Sequence, residues 1–179
     1  MVYLFLANGF EEIEALCPLD LLRRAGVEVT TVGVGGDMIR GSHGITVQAD
    51  IPDTMFADAA PEMVILPGGM PGSKNLDESR IVDMALKAAV RNDAYIAAIC
   101  AAPFVLGKRG LLAGKEATCY PGFENELTGA SISDKKVVRD GKFITAAGMG
   151  VALEFGLELV KAMTDDSVAE RLREAIQCQ

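Results

Sequence analysis

Tyr95-Ile96-Ala97-Ala98-Ile99 is a short apolar run, bounded in front by Arg91-Asn92-Asp93 and closed by Cys100, with Pro103 three residues later. A run that short and apolar at every position suits a central strand covered on both faces. Proline is tolerated in the first turn of a helix, where its missing N–H costs nothing. The stretch therefore reads as strand, tight corner and helix start, with Cys100 in the corner. Val2–Ala7 before Asn8-Gly9 and Glu62–Leu66 before Pro67-Gly68-Gly69 repeat the pattern of a buried strand running into a turn. Such strands alternate with helical stripes along the chain. The expectation is one α/β domain over residues 1–179, with a mostly parallel sheet and helices on both faces. In such sheets, sites form outside the carboxyl ends of the strands. Asn8-Gly9, Gly68-Gly69, Cys100 and Ala147-Gly148 all fall at such ends.

The helices are read from their stripes and stops. Glu11–Ala25 carries Ile13, Leu16, Leu19 and Leu22 on one side, acids in its early turns and Gly26 as its stop. Pro18 lies inside it and predicts a kink or a broken turn. Ser79–Val90 and about Val151–Ala162 are further helices. Thr164-Asp165-Asp166-Ser167 caps a last helix running to about Ile176. Asp53–Ala59 is expected as a short helix and Phe123–Leu127 as one helical turn. Strands are expected at Val27–Val34 and near Ala117–Cys119. Hairpins are expected around Gly41-Ser42-His43-Gly44 and at Asp140-Gly141.

Charge and cysteine usage exclude several classes. The net charge is −8, and an acidic surface repels phosphate backbones, so nucleic acid is not an expected partner. No apolar run approaches a membrane span and the first residues lack a basic leader, so a cytoplasmic protein is expected. Cys17, Cys100, Cys119 and Cys178 are widely spaced, which argues against a disulfide framework. His43 is the single histidine and no Cys-x-x-Cys pair exists, so no metal site is expected.

The candidate chemistry centres on Cys100. At a helix start, unpaired N–H groups and the dipole favour a thiolate and can lower a cysteine pKa from ~8.5 to between ~3.5 and ~7.5. The alternative is a buried cysteine acting as a small hydrophobe. Glu14, a turn into the first helix, would have a raised pKa if shielded beside a thiolate. It would then donate a hydrogen bond to sulfur or move a proton of a substrate. Glu11, Glu12 and Glu14 also read simply as helix-start charges, and spacing does not separate them. Gly68-Gly69 bring backbone N–H groups close to a ligand and, with the Ala101 amide, would hold an oxyanion; a tight turn needing positive φ explains them equally. His43 reads as a surface turn residue. Cys17 reads as core, and Cys119 ends a short strand beside Tyr120.

Asn8-Gly9-Phe10-Glu11-Glu12-Ile13-Glu14, Leu66-Pro67-Gly68-Gly69, Ala97-Ala98-Ile99-Cys100-Ala101-Ala102-Pro103 and Thr145-Ala146-Ala147-Gly148 together resemble the ThiJ/PfpI superfamily, in particular the branch containing the human Parkinson-disease protein deglycase and its bacterial relatives. The resemblance covers essentially the whole chain. It implies a flavodoxin-like three-layer sandwich, commonly a homodimer. It implies Cys100 as nucleophile on a strained elbow, hydrogen-bonded by a protonated Glu14, with Gly69 and the Ala101 amide at the oxyanion. The implied activity is cofactor-free conversion of methylglyoxal or glyoxal to hydroxy acids, or repair of early glycation adducts on side chains. A redox sensor or chaperone using the same oxidisable cysteine is the alternative. Tyr120 stands where the human protein carries a histidine near the nucleophile. It can donate a hydrogen bond, but with a pKa near ~10 it is a poor base at neutral pH.

Overall fold

The computed structural model describes residues 1–57 and 60–178. The chain runs β1 (Val2–Ala7), α1 (Glu12–Arg24), β2 (Val29–Val34), β3 (Met38–Arg40), β4 (Thr46–Gln48), β5 (Ile51–Pro52), β6 (Met63–Leu66), α2 (Gly72–Glu78), α3 (Arg80–Arg91), β7 (Tyr95–Ile99) and α4 (Pro103–Gly107). It continues through β8 (Glu116–Ala117), β9 (Ser131–Ile132), β10 (Val137–Asp140), β11 (Phe143–Ala146), α5 (Ala152–Met163) and α6 (Asp166–Ala175).

Seven strands form one sheet in the order β10-β11-β7-β6-β1-β2-β5. Every pairing is parallel except β10 with β11, the Asp140-Gly141 hairpin. Pro52 lies on the edge strand β5, where a missing N–H removes no ladder bond from a central strand. Side-chain alternation divides the core. Leu4, Leu6, Ala97 and Ile99 face one layer, with Leu22 of α1 and Phe155 of α5. Phe5, Ala7, Ile96 and Ala98 face the other, with Leu86 of α3 and Val105 of α4. A two-residue period that is apolar on both faces demands helices on both sides, and the three-layer sandwich supplies them.

The order reverses between β1 and β6: from β1 the chain goes to β2 on one side and returns to β6 on the other. That switch opens a crevice at the strand ends. The segments after β1, β6 and β7 meet there.

Several boundaries depart from expectation. The helix α1 is unbroken through Pro18. There Gly156 of α5 packs so closely that a Cβ on it would lie 2.6 Å from Leu21 Cδ1 and 3.0 Å from Pro18 Cα. Packing from α5 thus holds a helix that proline weakens. The helix expected over Asp53–Ala59 is one 3-10 turn, Asp53–Met55; Asp58 and Ala59 lie outside the described residues. The strand β2 begins at Val29, two residues late. α2 was not expected, because seven mostly polar residues carry no stripe.

Asp50 fastens β2 to its neighbours. Its Oδ2 accepts from the Thr31 amide and hydroxyl, both at 2.8 Å, and from Arg23 Nη2 at 2.7 Å. Burial works to raise its pKa, but the Thr31 bonds and Arg23 outweigh that and hold it below the usual carboxylate value. Its stabilising contribution is whole above pH 3.8 and is lost as pH falls through the lowered pKa. Asp50→Ala is expected to lower unfolding free energy by about 1–3 kcal/mol at neutral pH, read by urea titration. That deficit should shrink in acid.

Candidate active site

Cys100 has φ +65°, a left-handed conformation rare for a residue with a Cβ. Both its peptide groups are pinned. Cys100 N donates to Ala146 O of β11 and Cys100 O accepts from Tyr120 N, each at 2.8 Å. Pro103 takes the first position of α4, as its fixed φ suits. The elbow leaves the half-buried side chain facing the N–H groups of Gly69 and Ala101 and the carboxyl of Glu14.

Glu14 arrives from the first turn of α1. Glu11 caps that helix, its Oε2 accepting from Glu14 N at 2.7 Å. The Glu14 residue is 1% exposed. Its Oε2 accepts from Gly68 N at 3.0 Å, and the Met149 amide also reaches the carboxyl. Gly68 has no room for a side chain: a Cβ would sit 2.3 Å from Glu14 Oε2 and 2.6 Å from Cys100 Cβ. Gly69 has φ +90°, and a Cβ there would sit 2.4 Å from Glu11 N. These glycines exist because helix start, strand end and elbow approach one another through backbone.

Burial pushes the Glu14 carboxyl up to about 7, against hydrogen bonds from Cys100, Gly68 and Met149, and the Glu11 charge adds to the rise. The thiol departs from the expectation of a lowered pKa. Burial, then the charge and hydrogen bond of Glu14, push Cys100 up to about 12, while the Ala101 and Gly69 amides pull downward. The physical reason is that burial penalises a charged sulfur and the Glu14 carboxylate repels it, while α4 spans only five residues, too few for a strong opposing dipole. Between pH values of about 7 and about 12 the pair therefore carries one negative charge, not two. When Glu14 holds its proton the repulsion is gone, and two amides and a carboxylic acid face the sulfur.

The raised Glu14 pKa has a stability consequence. The carboxyl starts at 4.5 when exposed and reaches about 7 when folded. Its contribution is whole below pH 4.5 and is lost as pH rises through about 7. Glu14→Gln should thus gain stability relative to the native chain as pH rises across that window, in urea titrations at stepped pH. Parallel curves would contradict the assignment.

Residues 1–162 match the DJ-1/PfpI family. The chain belongs to that family. It is 40% identical over 164 residues to Protein dj-1beta of Drosophila melanogaster, covering 88% of this chain and 86% of that protein. It is 32% identical over 155 residues to a Caenorhabditis elegans protein named glutathione-independent glyoxalase DJR-1.2, covering 86% and 82%. The structure of oxidized Toxoplasma gondii DJ-1 superposes with TM-score 0.94 at 32% identity, covering 98% of this chain and 97% of that one. These findings bear out the ThiJ/PfpI resemblance and the flavodoxin-like fold.

In this DJ-1/PfpI chain the expected site residues Cys100, Glu14, Gly68, Gly69 and Ala101 come together. Tyr120 joins them at the margin. Its amide holds the elbow, and its exposed ring lies against Gly148, Cδ2 standing 3.4 Å from where a Cβ would be. Cys119 points into the core, where burial and then the Glu124 charge push its thiol up to about 11.

Glu12, expected only as a helix-start charge, takes a different role. It is 3% exposed. Its Oε1 accepts from His43 N at 2.8 Å and Ile45 N at 3.4 Å, and its Oε2 meets His43 Nδ1 at 2.9 Å. Burial tends to raise its pKa, and the His43 and Ile45 bonds overcome that and lower it; the same contact raises His43. Far from a simple helix-start charge, Glu12 organises the loop between β3 and β4. A Cβ on Gly41 would strike its Oε1 at 2.3 Å, so Gly41 was the available signal. Glu11, by contrast, is the helix-start group expected. His43 is the exposed turn residue expected, but with a partner.

Among the described residues, Glu11, Glu12 and His43 are the group whose ligand atoms lie within 4.8 Å of one another. Glu12 is already occupied by four donors of the loop between β3 and β4. The cluster also sits at a helix N-terminus, where the dipole disfavours cations. Nothing marks it as a metal centre. No helix among the described residues is long and apolar enough to cross a membrane.

Proposed function

We propose that this protein is a cysteine-dependent, cofactor-free enzyme of glyoxalase or deglycase type, acting on methylglyoxal, glyoxal or early glycation adducts. The observation that carries the reading is a cysteine held at φ +65° with a buried carboxyl of raised pKa against it. A C. elegans relative named as a glutathione-independent glyoxalase supports the substrate class.

The chemistry runs through the less populated form of the singly charged pair, in which the thiol proton has passed to the Glu14 carboxylate and the charge sits on Cys100. The thiolate adds to the aldehyde carbon of a 2-oxoaldehyde, and the carbonyl electron pair moves to oxygen. The Gly69 and Ala101 amides stabilise that oxygen while Glu14 delivers its proton, giving a hemithioacetal. Glu14, now ionised, carries the proton from the former aldehyde carbon to the adjacent carbon through an enediol, while the hydroxyl proton on the first carbon passes to the oxygen of the second. The product is a 2-hydroxyacyl thioester. Water cleaves it to the hydroxy acid and restores the thiol. The sum is substrate plus water, with no external electron acceptor. Tyr120 offers a hydroxyl to the substrate at the mouth and is a poor base there.

The reading extends to a cytoplasmic homodimer. Ile13, beside Glu14 on α1, is half exposed, and the exposed Met149 lies next to the same site. The direct test is lactate formation from methylglyoxal by metal-stripped protein without glutathione. A second reading rests on the same convergence: the two amides and the Glu14 O–H would equally hold an oxidised sulfur, and a relative's structure is of an oxidized form. The lactate assay separates them, since a redox sensor or chaperone without turnover releases no product.

A further inference from the structure

Two cysteines lie on the α1–α5–α6 side of the sheet, apart from the site just described. Cys17, half-buried, projects from α1 three residues beyond Glu14. Cys178 lies in the turn after α6. That turn is a Schellman cap: Cys178 N donates to Arg173 O and Gln177 N to Glu174 O, both at 3.0 Å, with Gln177 at φ +58°. The cap folds residue 178 back over its own helix. Cys17 and Cys178 consequently line one cleft of about 420 Å³, floored by Leu153 of α5 and Ile176.

The surroundings of the two sulfurs differ. Arg173 Nη1 stands 3.4 Å from Cys178 Sγ, so a guanidinium faces that thiol. Burial, followed by the charges of Asp20 and Glu154, raises the Cys17 thiol. Cys178 is also near enough for its charge to act on Cys17. The sulfur that a cation faces is the one placed to attack a peroxide, and a second cysteine in the same cleft can resolve the product.

We propose that Cys17 and Cys178 form a reversible intramolecular disulfide that ties α1 to the turn after α6, with a hydroperoxide as oxidant. The Cys178 sulfur attacks the peroxide; the O–O bond breaks, an S–O bond forms and, for hydrogen peroxide, hydroxide leaves and takes up the proton given up by the Cys178 thiol, as water. The Cys17 sulfur then attacks the Cys178 sulfenic acid. The S–S bond forms, the S–O bond breaks, and hydroxide leaves with the proton from Cys17 as a second water. Two thiols are oxidised and one peroxide is reduced. α1 is fixed by its packing on α5, so the movement needed for bonding geometry falls to residues 176–178. The tethered helix is the one that carries Glu14, yet the reaction needs neither Glu14 nor Cys100.

The experiment treats the native chain and Cys100→Ser with hydrogen peroxide at low protein concentration, blocks remaining thiols, and maps tryptic peptides without reduction. The expected product joins the Met1–Arg23 peptide to the one beginning at Glu174, with the summed mass less two hydrogens. It should form in both proteins and vanish in Cys17→Ser; in Arg173→Ala, where trypsin leaves a longer peptide beginning at Leu172, the corresponding cross-link should form several-fold more slowly. The oxidised native chain should also melt at a higher temperature than the reduced chain, a difference absent in Cys17→Ser. Cys17 and Cys178 found blocked as thiols, oxidised separately, or joined only between two chains would overturn the proposal.

Discussion

Cys100→Ala should lower lactate formation from methylglyoxal by at least about 10³-fold, the scale expected when a nucleophile is removed and only binding groups remain. The fold should survive the change. Alanine keeps the Cβ that already tolerates φ +65°, and both backbone bonds of the elbow, to Ala146 O and from Tyr120 N, are untouched. Far-UV circular dichroism and the melting temperature would therefore stay close to those of the native chain. One change should accompany the loss. The hydrogen bond from Cys100 lowers the Glu14 pKa, so without the sulfur Glu14 should titrate higher still. Equal turnover in the two proteins would remove Cys100 from the chemistry.

The second large effect is expected of Gly68→Ala. The added methyl would sit 2.3 Å from Glu14 Oε2 and 2.6 Å from Cys100 Cβ, and neither neighbour can yield cheaply. Glu14 is held by the amides of Gly68 and Met149, and Cys100 by its two backbone bonds. Overpacking of this kind costs about 1–3 kcal/mol of stability. The larger consequence is displacement of carboxyl from sulfur, since a shift of about 1 Å can cost ~10² in rate. Lactate formation should fall by about that factor, and the urea midpoint should fall with it. Turnover within threefold of the native chain would show that the Gly68 contact does not set the geometry.

Both predictions concern residues already legible in the sequence, and the reason is local. A strand buried on both faces, a corner and a proline-led helix place Cys100 at a strand end from one short stretch. Pro67-Gly68-Gly69 does the same for the neighbouring strand. Glu14 was readable as a candidate, but its separation from Glu11 and Glu12 was not. All three lie in one stretch, and what distinguishes them is the direction each carboxyl takes: the cap, the loop between β3 and β4, or the crevice. The bond between Glu12 and His43 spans 31 residues and leaves only Gly41 as a trace. The acid behaviour of Cys100 was misjudged for a related reason. A helix start in sequence suggests a thiolate, but the burial of the sulfur and the shortness of α4 exist only in the fold. α2 escaped notice because its position depends on Gly72 N bonding Gly9 O, not on any stripe of its own.

The central claim is that Cys100 and Glu14 share a single negative charge. The rate of Cys100 alkylation by iodoacetamide, followed across pH by mass spectrometry in the native chain and in Glu14→Gln, tests it most directly. The native chain should show two steps, one near the Glu14 value of about 7 and a second toward the raised thiol value of about 12, with a plateau between. Glu14→Gln should show a single step lying below the upper one of the native chain. Superimposable single-step profiles at the ordinary thiol pKa of ~8.5 would contradict the account.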